Sequence, residues 1–147
     1  MDLKREIDLF FSEFSAVESQ CVGEALRSMA PDQAFVERSE KMLDHHARFT
    51  LLKRMASVRN VSVEALTALE AADLRAAELR EKRDALTHTL SSLTKPEPDA
   101  APPAQRPGKR TSIEVWVPTI DEIERCRTST AKLQATLQAF TRQITEN

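Results

Sequence analysis

The sequence predicts an all-α fold, an antiparallel four-helix bundle with a Pro-rich linker and a short extended segment before the last helix. Three observations predict it. Apolar residues recur at steps of three and four through most of the chain, which marks one buried face per helix. Glycine is scarce, 2 in 147 residues, and most of the 7 prolines are clustered, so the punctuation of a β-rich chain is missing. Helix start signals also stand where the periodic stretches begin.

Helix one is expected from about Asp2 to Met29, on the stripe Leu3, Ile7, Phe10, Phe14, Val17, Cys21 and Ala25. Phe11, Val22 and Leu26 widen that stripe, which implies neighbours on more than one side. Ala30-Pro31-Asp32 is a break, since Pro31 has no backbone donor and suits a first helical turn. Helix two carries Phe35, Met42, His46, Phe49, Leu52, Met55 and Ala56 and should end near Arg59-Asn60. Ser62 is the expected N-cap of helix three, with Val61 packing on Leu66 as a hydrophobic staple. Leu66, Leu69, Ala72, Ala76, Leu79, Leu86, Leu90 and Leu93 continue that helix, with a gap in the stripe at Lys82-Arg83.

From Thr94 to Arg110, Pro96, Pro98, Pro102, Pro103 and Pro107 alternate with small and charged residues, so the segment has nothing to bury and reads as a flexible linker. Ile113, Val115 and Val117 alternate with Glu114 and Trp116, the pattern of a short extended segment. Thr119-Ile120-Asp121-Glu122 is a capping box that opens helix four, followed by Ile123, Cys126, Thr130, Leu133, Leu137, Phe140 and Ile144. The chain is therefore read as one helical domain over residues 1–147. It comprises a three-helix core (1–93), the linker (94–112), and the extended segment with the C-terminal helix (113–147).

The composition is 41% hydrophobic and 30% charged, which supports a packed core. A formal charge of −2 gives no broad basic field toward nucleic acid or anionic lipid. The N-terminal residues lack a signal-peptide pattern and no stretch reaches the roughly 20 apolar residues of a membrane span, so a cytoplasmic location and no membrane association are expected. Cys21 and Cys126 fall on helix stripes and read as buried reduced thiols. His45 and His46 beside Asp44 do not form a metal site, because adjacent helical side chains diverge by about 100°. On this reading His46 lines the core edge, His45 is solvated, and neither metal nor cofactor is expected.

The stretch Leu79-Arg80-Glu81-Lys82-Arg83-Asp84-Ala85-Leu86-Thr87-His88 interrupts a leucine-rich stripe with polar residues. Four residues separate Arg83 from His88, and Asp84 directly follows the arginine. This stretch resembles the hallmark of the HEPN superfamily, an arginine, a polar residue and a histidine after a gap of four to six residues near the end of a bundle helix. The layout of an aromatic first helix, a second helix and a further helix after the motif is similar too. Arg38 and His45 meet the same loose spacing. Asp84 stands where Asn is frequent in that family and Thr89 where Gly is frequent.

The resemblance implies a metal-independent endoribonuclease of a toxin or defence type, in which two subunits bring their motifs to one cleft. Arg83 would clamp phosphate, His88 would act as acid and base, and Asp84 would orient one of them. The residue types suit that chemistry, since an imidazole exchanges protons near neutrality and a guanidinium stays charged. The implied partners are a second copy of the chain, RNA, and an antitoxin-like protein. Without the resemblance, Arg83 and His88 are polar edge residues, Arg83 pairing with a carboxylate such as Asp84. The chain is then a non-catalytic helical dimer, an interaction module using an exposed apolar patch such as one containing Trp116 or Phe140. Wide apolar stripes favour a homodimer on either reading.

Overall fold

The computed structural model describes residues 2–30, 32–94 and 116–146, and every regular element among them is helical. In chain order these are α1 (Leu3–Ala16), a π-helical turn (Val17–Cys21), α2 (Val22–Met29), α3 (Gln33–Met42), α4 (His45–Val58), α5 (Val63–Thr94) and α6 (Ile120–Glu146). Side chains at the starts satisfy backbone donors that helices leave free. Asp2 accepts from the Lys4 N–H (3.1 Å), Asp32 from Ala34 (3.0 Å), Asp44 from Ala47 (2.8 Å) and Ser62 Oγ from Ala65 (3.1 Å). The capping box forms as expected: the Thr119 N–H donates to Glu122 (2.8 Å) and the Glu122 N–H to Thr119 Oγ1 (3.2 Å). Asn60 ends α4 in the left-handed region at φ 58°, which asparagine tolerates better than most residues.

Helix one is continuous but not regular. The Val22 N–H bonds the carbonyl of Val17, five residues back, so the turn takes in one residue more than an α-turn. One extra residue re-phases everything after it by about 100°. Beyond the turn Val22, Ala25, Leu26 and Met29 are all buried, because α2 packs against α6, α4 and α3, the neighbours on more than one side that the widened stripe implies.

Helix two is two helices. The chain leaves helical geometry at Leu43-Asp44, and Asp44 caps α4. An unbroken stripe from Phe35 to Ala56 would have needed Phe35, Met42 and His46 inside. Instead Phe35 and Met42 are 37% and 74% exposed, while Val36 and Ser39 are buried on the other face of α3. The buried positions of α4 are Arg48, Phe49, Leu52 and Ala56.

Helix α6 packs on α1, α2 and α5, and α4 packs on α2 and α5. α5 and α6 run in opposite directions: Gln143 Nε2 reaches Ser62 (3.4 Å), Arg75 donates to Ser129 (2.8 Å), and Thr89 Oγ1 donates to the Trp116 carbonyl (2.9 Å). The core contains Phe10, Phe14, Leu26, Phe49, Leu52, Leu69, Leu86, Ile123, Leu133 and Leu137, all sealed from solvent. Each such side chain stabilises the fold by about 1.5–3 kcal/mol. Cys21 and Cys126 are free and buried, as the stripes imply, and burial pushes both thiols up from their ordinary pKa.

Thr94, read as the first linker residue, is the last residue of α5. The rest of the linker and residues 113–115 of the extended segment lie outside the described residues; Trp116 and Val117 have no regular secondary structure. No helix among the described residues is long and apolar enough to cross a membrane.

Candidate functional site

The main buried charge cluster forms around Glu18, which the π turn points inward until it is 3% exposed. Its Oε1 accepts from Arg83 Nη1 at 2.7 Å and its Oε2 from Arg80 Nε at 2.9 Å. The His45 Nε2 lies 3.9 Å from the same Oε1. The Arg83 guanidinium also stacks over the Phe14 ring, 5.2 Å from its centre, and its Nε stands 3.6 Å from Asp84 Oδ1. Charged hydrogen bonds of this length are strong, and the two arginines offset the cost of burying the carboxylate.

Arg48 of α4 completes the cluster at 4% exposure, yet its Nε and Nη2 have no hydrogen-bond partner. Burial holds its guanidinium below its ordinary pKa; Glu40 and Glu18 oppose that shift and Arg27 adds to it. The buried Arg80 Nη2 and His45 Nδ1 also lack partners.

The structure assigns different places to the three residues expected to act together. Arg83 is half-buried on Glu18, whereas Asp84 and His88 are exposed. α5 is regular through this stretch, so Arg83 and His88 leave the axis about 140° apart and Asp84 and His88 about 40° apart. Within one chain Asp84 therefore neighbours both residues, but Arg83 and His88 do not meet. The histidine that shares a carboxylate with Arg83 is His45. This reverses the expectation for the pair: His45 is the half-buried member and His46 is exposed, because the break at Leu43-Asp44 rotates α4 away from the phase of α3. Arg38 stays exposed on α3.

Glu18, Arg48 and Arg80 were not singled out as site residues from the sequence. Glu18 carried a signal, since it follows Phe14 by four and precedes Cys21 by three, a carboxylate on an apolar stripe. Arg48 carried none. A second buried carboxylate, Glu6, is bound by Arg127 Nη1 at 2.8 Å, and Arg127 grips Glu13 through Nε and Nη2 at 2.9 and 2.8 Å. The hydrogen bonds to Glu13 and Glu6 hold this guanidinium well above its ordinary pKa, and the contact fastens α6 to α1.

Among the described residues no group of three or more His, Cys, Asp or Glu is placed to hold a metal ion. Phe140, which the stripe of the last helix places inside and the interaction-module reading offered for an exposed patch, is buried in the core by α6, and Trp116 is half-covered, with Lys82 Nζ 4.7 Å from its ring centre. One exposed apolar groove lies between α3 and α4, lined by Phe35, Met42, Leu43 and Leu51 with Arg38 at its edge. Compared with family models, curated proteins and solved structures, the chain matches none.

Proposed function

We propose that the chain is a HEPN-like antiparallel four-helix domain that pairs with a second copy and acts on RNA without a metal. The observation that carries this reading is the fixing of Arg83. Glu18, Phe14 and Asp84 hold its guanidinium in one place while about a quarter of the side chain stays open to solvent. A positioned, permanently charged group of this kind suits a phosphodiester. His88 then takes the proton of a ribose 2′-hydroxyl, whose oxygen attacks phosphorus, and the imidazolium so formed gives a proton to the 5′ oxygen as it leaves. Arg83 stabilises the charge on the non-bridging oxygens, and Asp84 orients the imidazole. Because Arg83 and His88 of one chain diverge, the working site pairs Arg83 of one copy with His88 of the other.

The test is cleavage of single-stranded RNA by the full chain in excess chelator. Arg83→Gln and His88→Ala should each abolish cleavage, and mixing the two variants should restore about a quarter of it through heterodimers carrying one intact site. Cleavage unaffected by His88→Ala, or a strictly monomeric active species in sedimentation, would sink the proposal.

A second reading, a non-catalytic homodimer, is favoured by the α3–α4 groove. Its rim carries both signs, Glu37 with Arg38 and Glu40 with Lys41, so a two-fold pairing can set unlike charges opposite one another. Met42→Glu separates the two readings, since it should dissociate a dimer built on the groove and leave one built around α5 intact.

A further inference from the structure

Exposed apolar side chains concentrate on one part of the surface. Of the seven large ones exposed among the described residues, four, Phe35, Met42, Leu43 and Val58, stand on α3, on α4 or at the break between them. On α3, Phe35, Ser39 and Met42 follow at steps of four and three, and on α4, Leu51, Met55 and Val58 do the same, so each helix lines the groove with one stripe. Two hollows open along these stripes. One, of about 270 Å³, is lined by Phe35, Met42, Leu43 and Leu51, and the other, of about 250 Å³, by Met29, Met55 and Val58. Leu51 and Val58 are seven residues apart on one face of α4, which sets the hollows about 10 Å apart along its axis.

The charged residues that line the two hollows are all arginines, Arg38 at the first and Arg54 and Arg59 at the second. Each is exposed, and none has a carboxylate partner among the described residues. Arg59 donates to backbone carbonyls, those of Ser28 (3.4 Å) and Met29 (3.1 Å). The neighbouring carboxylates of α3 are engaged, Glu37 by Gln33 at 3.5 Å and Glu40 by Arg27 at 3.4 Å. The whole chain has a formal charge of −2, so this concentration of cations is local and does not follow from composition.

We infer that this face docks an acidic amphipathic helix of another protein, with large apolar residues at positions i and i+7 and carboxylates beside them. The distance between the hollows is the rise of two helical turns, and a residue at i+3 or i+4 covers Met55 between them. The carboxylates meet Arg38, Arg54 and Arg59 at the rim, where such pairs fix orientation and speed encounter. A second copy seated hollow to hollow brings arginine against arginine, and a nucleic acid leaves the apolar floor unused. The inference stands apart from the RNA reading, whose dimer is built around α5 and leaves this face open, so His88→Ala should not change peptide binding.

The probe is a displayed library of helical peptides of about 16 residues, selected on the full chain with counter-selection on Val58→Glu. Selected sequences should converge on large apolar residues at i and i+7 with an excess of Asp and Glu around them. By fluorescence anisotropy the winning peptide should bind one per chain, and Arg54→Glu, or exchange of its acids for lysine, should weaken it about tenfold or more. Met42→Glu and Val58→Glu, at positions 74% and 81% exposed, should each abolish binding and move the Tm by no more than about 2 °C, which separates loss of binding from loss of fold. Sedimentation reads the alternative occupant: a dimer that Val58→Glu dissociates and the peptide cannot split assigns the face to a second copy. Single-stranded RNA that displaces the peptide and still binds Val58→Glu assigns the arginines to a phosphate backbone. Either of these results, a consensus without acids, or no enrichment over the counter-selection overturns the inference.

Discussion

Glu18→Gln removes one charge from the centre of the polar cluster while keeping the side chain's shape. Two short contacts depend on that charge, 2.7 Å to Arg83 and 2.9 Å to Arg80. Removing one partner of a buried ion pair costs about 3–5 kcal/mol, mostly because the remaining charge is stranded. Here the stranded arginines keep 15% and 26% of their side-chain surface in water, and the glutamine oxygen still accepts one hydrogen bond. Both facts place the loss at the lower end, about 3 kcal/mol. For a chain of this length that lowers Tm by about 10 °C. Urea unfolding of wild type and variant measures it directly, with an unchanged m value showing that the denatured state is not the cause. Repeating the substitution in an Arg80→Met, Arg83→Met background should shrink the loss to below about 1 kcal/mol, since no cation is then left behind. A loss under about 1 kcal/mol in the wild-type background, or the same loss in both, would refute the ion-pair account.

Three further outcomes follow from the fold. Asp44→Ala removes the cap of α4 and should cost about 1 kcal/mol by urea unfolding, with no comparable effect from Asp121→Ala, whose side chain caps nothing. Leu86→Ala, at a fully buried position, should cost about 2–5 kcal/mol, while Leu74→Ala, 66% exposed, should stay within about 0.5 kcal/mol. Cys21 and Cys126 have folded-state pKa values raised by burial, so their contribution to stability is present below the ordinary thiol pKa and is lost as pH rises through the raised one. Both thiols should resist a thiol reagent in the native protein at pH 8 and react at once in urea, and fast native labelling would show that they are accessible.

Helix positions were legible wherever a cap and a stripe agreed. Ser62 with Leu66 and Thr119 with Glu122 located two helix starts to within a residue, because a capping side chain and the periodicity after it are both local properties. The break at Leu43-Asp44 was also written locally, as an aspartate three residues before a backbone donor. Metal-ligand logic drew attention to the neighbouring histidines instead. The site was less legible. Spacing marked Arg83, but which histidine approaches it depends on how α4 docks against the π turn. That is a tertiary property with no periodic signature. Arg48 is the extreme case, since nothing beside it in the chain shows that Glu18 and Gly23 will be its neighbours.

The π turn is the device that joins the two halves of helix one, and it admits a sharp test. In a regular helix, deleting one exposed residue rotates everything beyond it by about 100° and pulls one half of the stripe out of the core. Deleting Ser12 from α1 should do this, turning Ile7 and Phe10 from the interior at about 1.5–3 kcal/mol each. Deleting Ser19 from the π turn should have the opposite geometric effect. The bond from Val22 to Val17 then spans an ordinary α-turn, the phases of Phe14 and Val22 remain matched, and Glu18 and Cys21 stay beside Val17 and Val22. The Ser19 deletion should therefore keep its helical circular dichroism and lose markedly less Tm than the Ser12 deletion. If the Ser19 deletion is the more damaging of the two, the extra residue does more than set the phase of the stripe. The packing of Glu18, Cys21 and Gly23 around the arginines would then itself depend on π geometry.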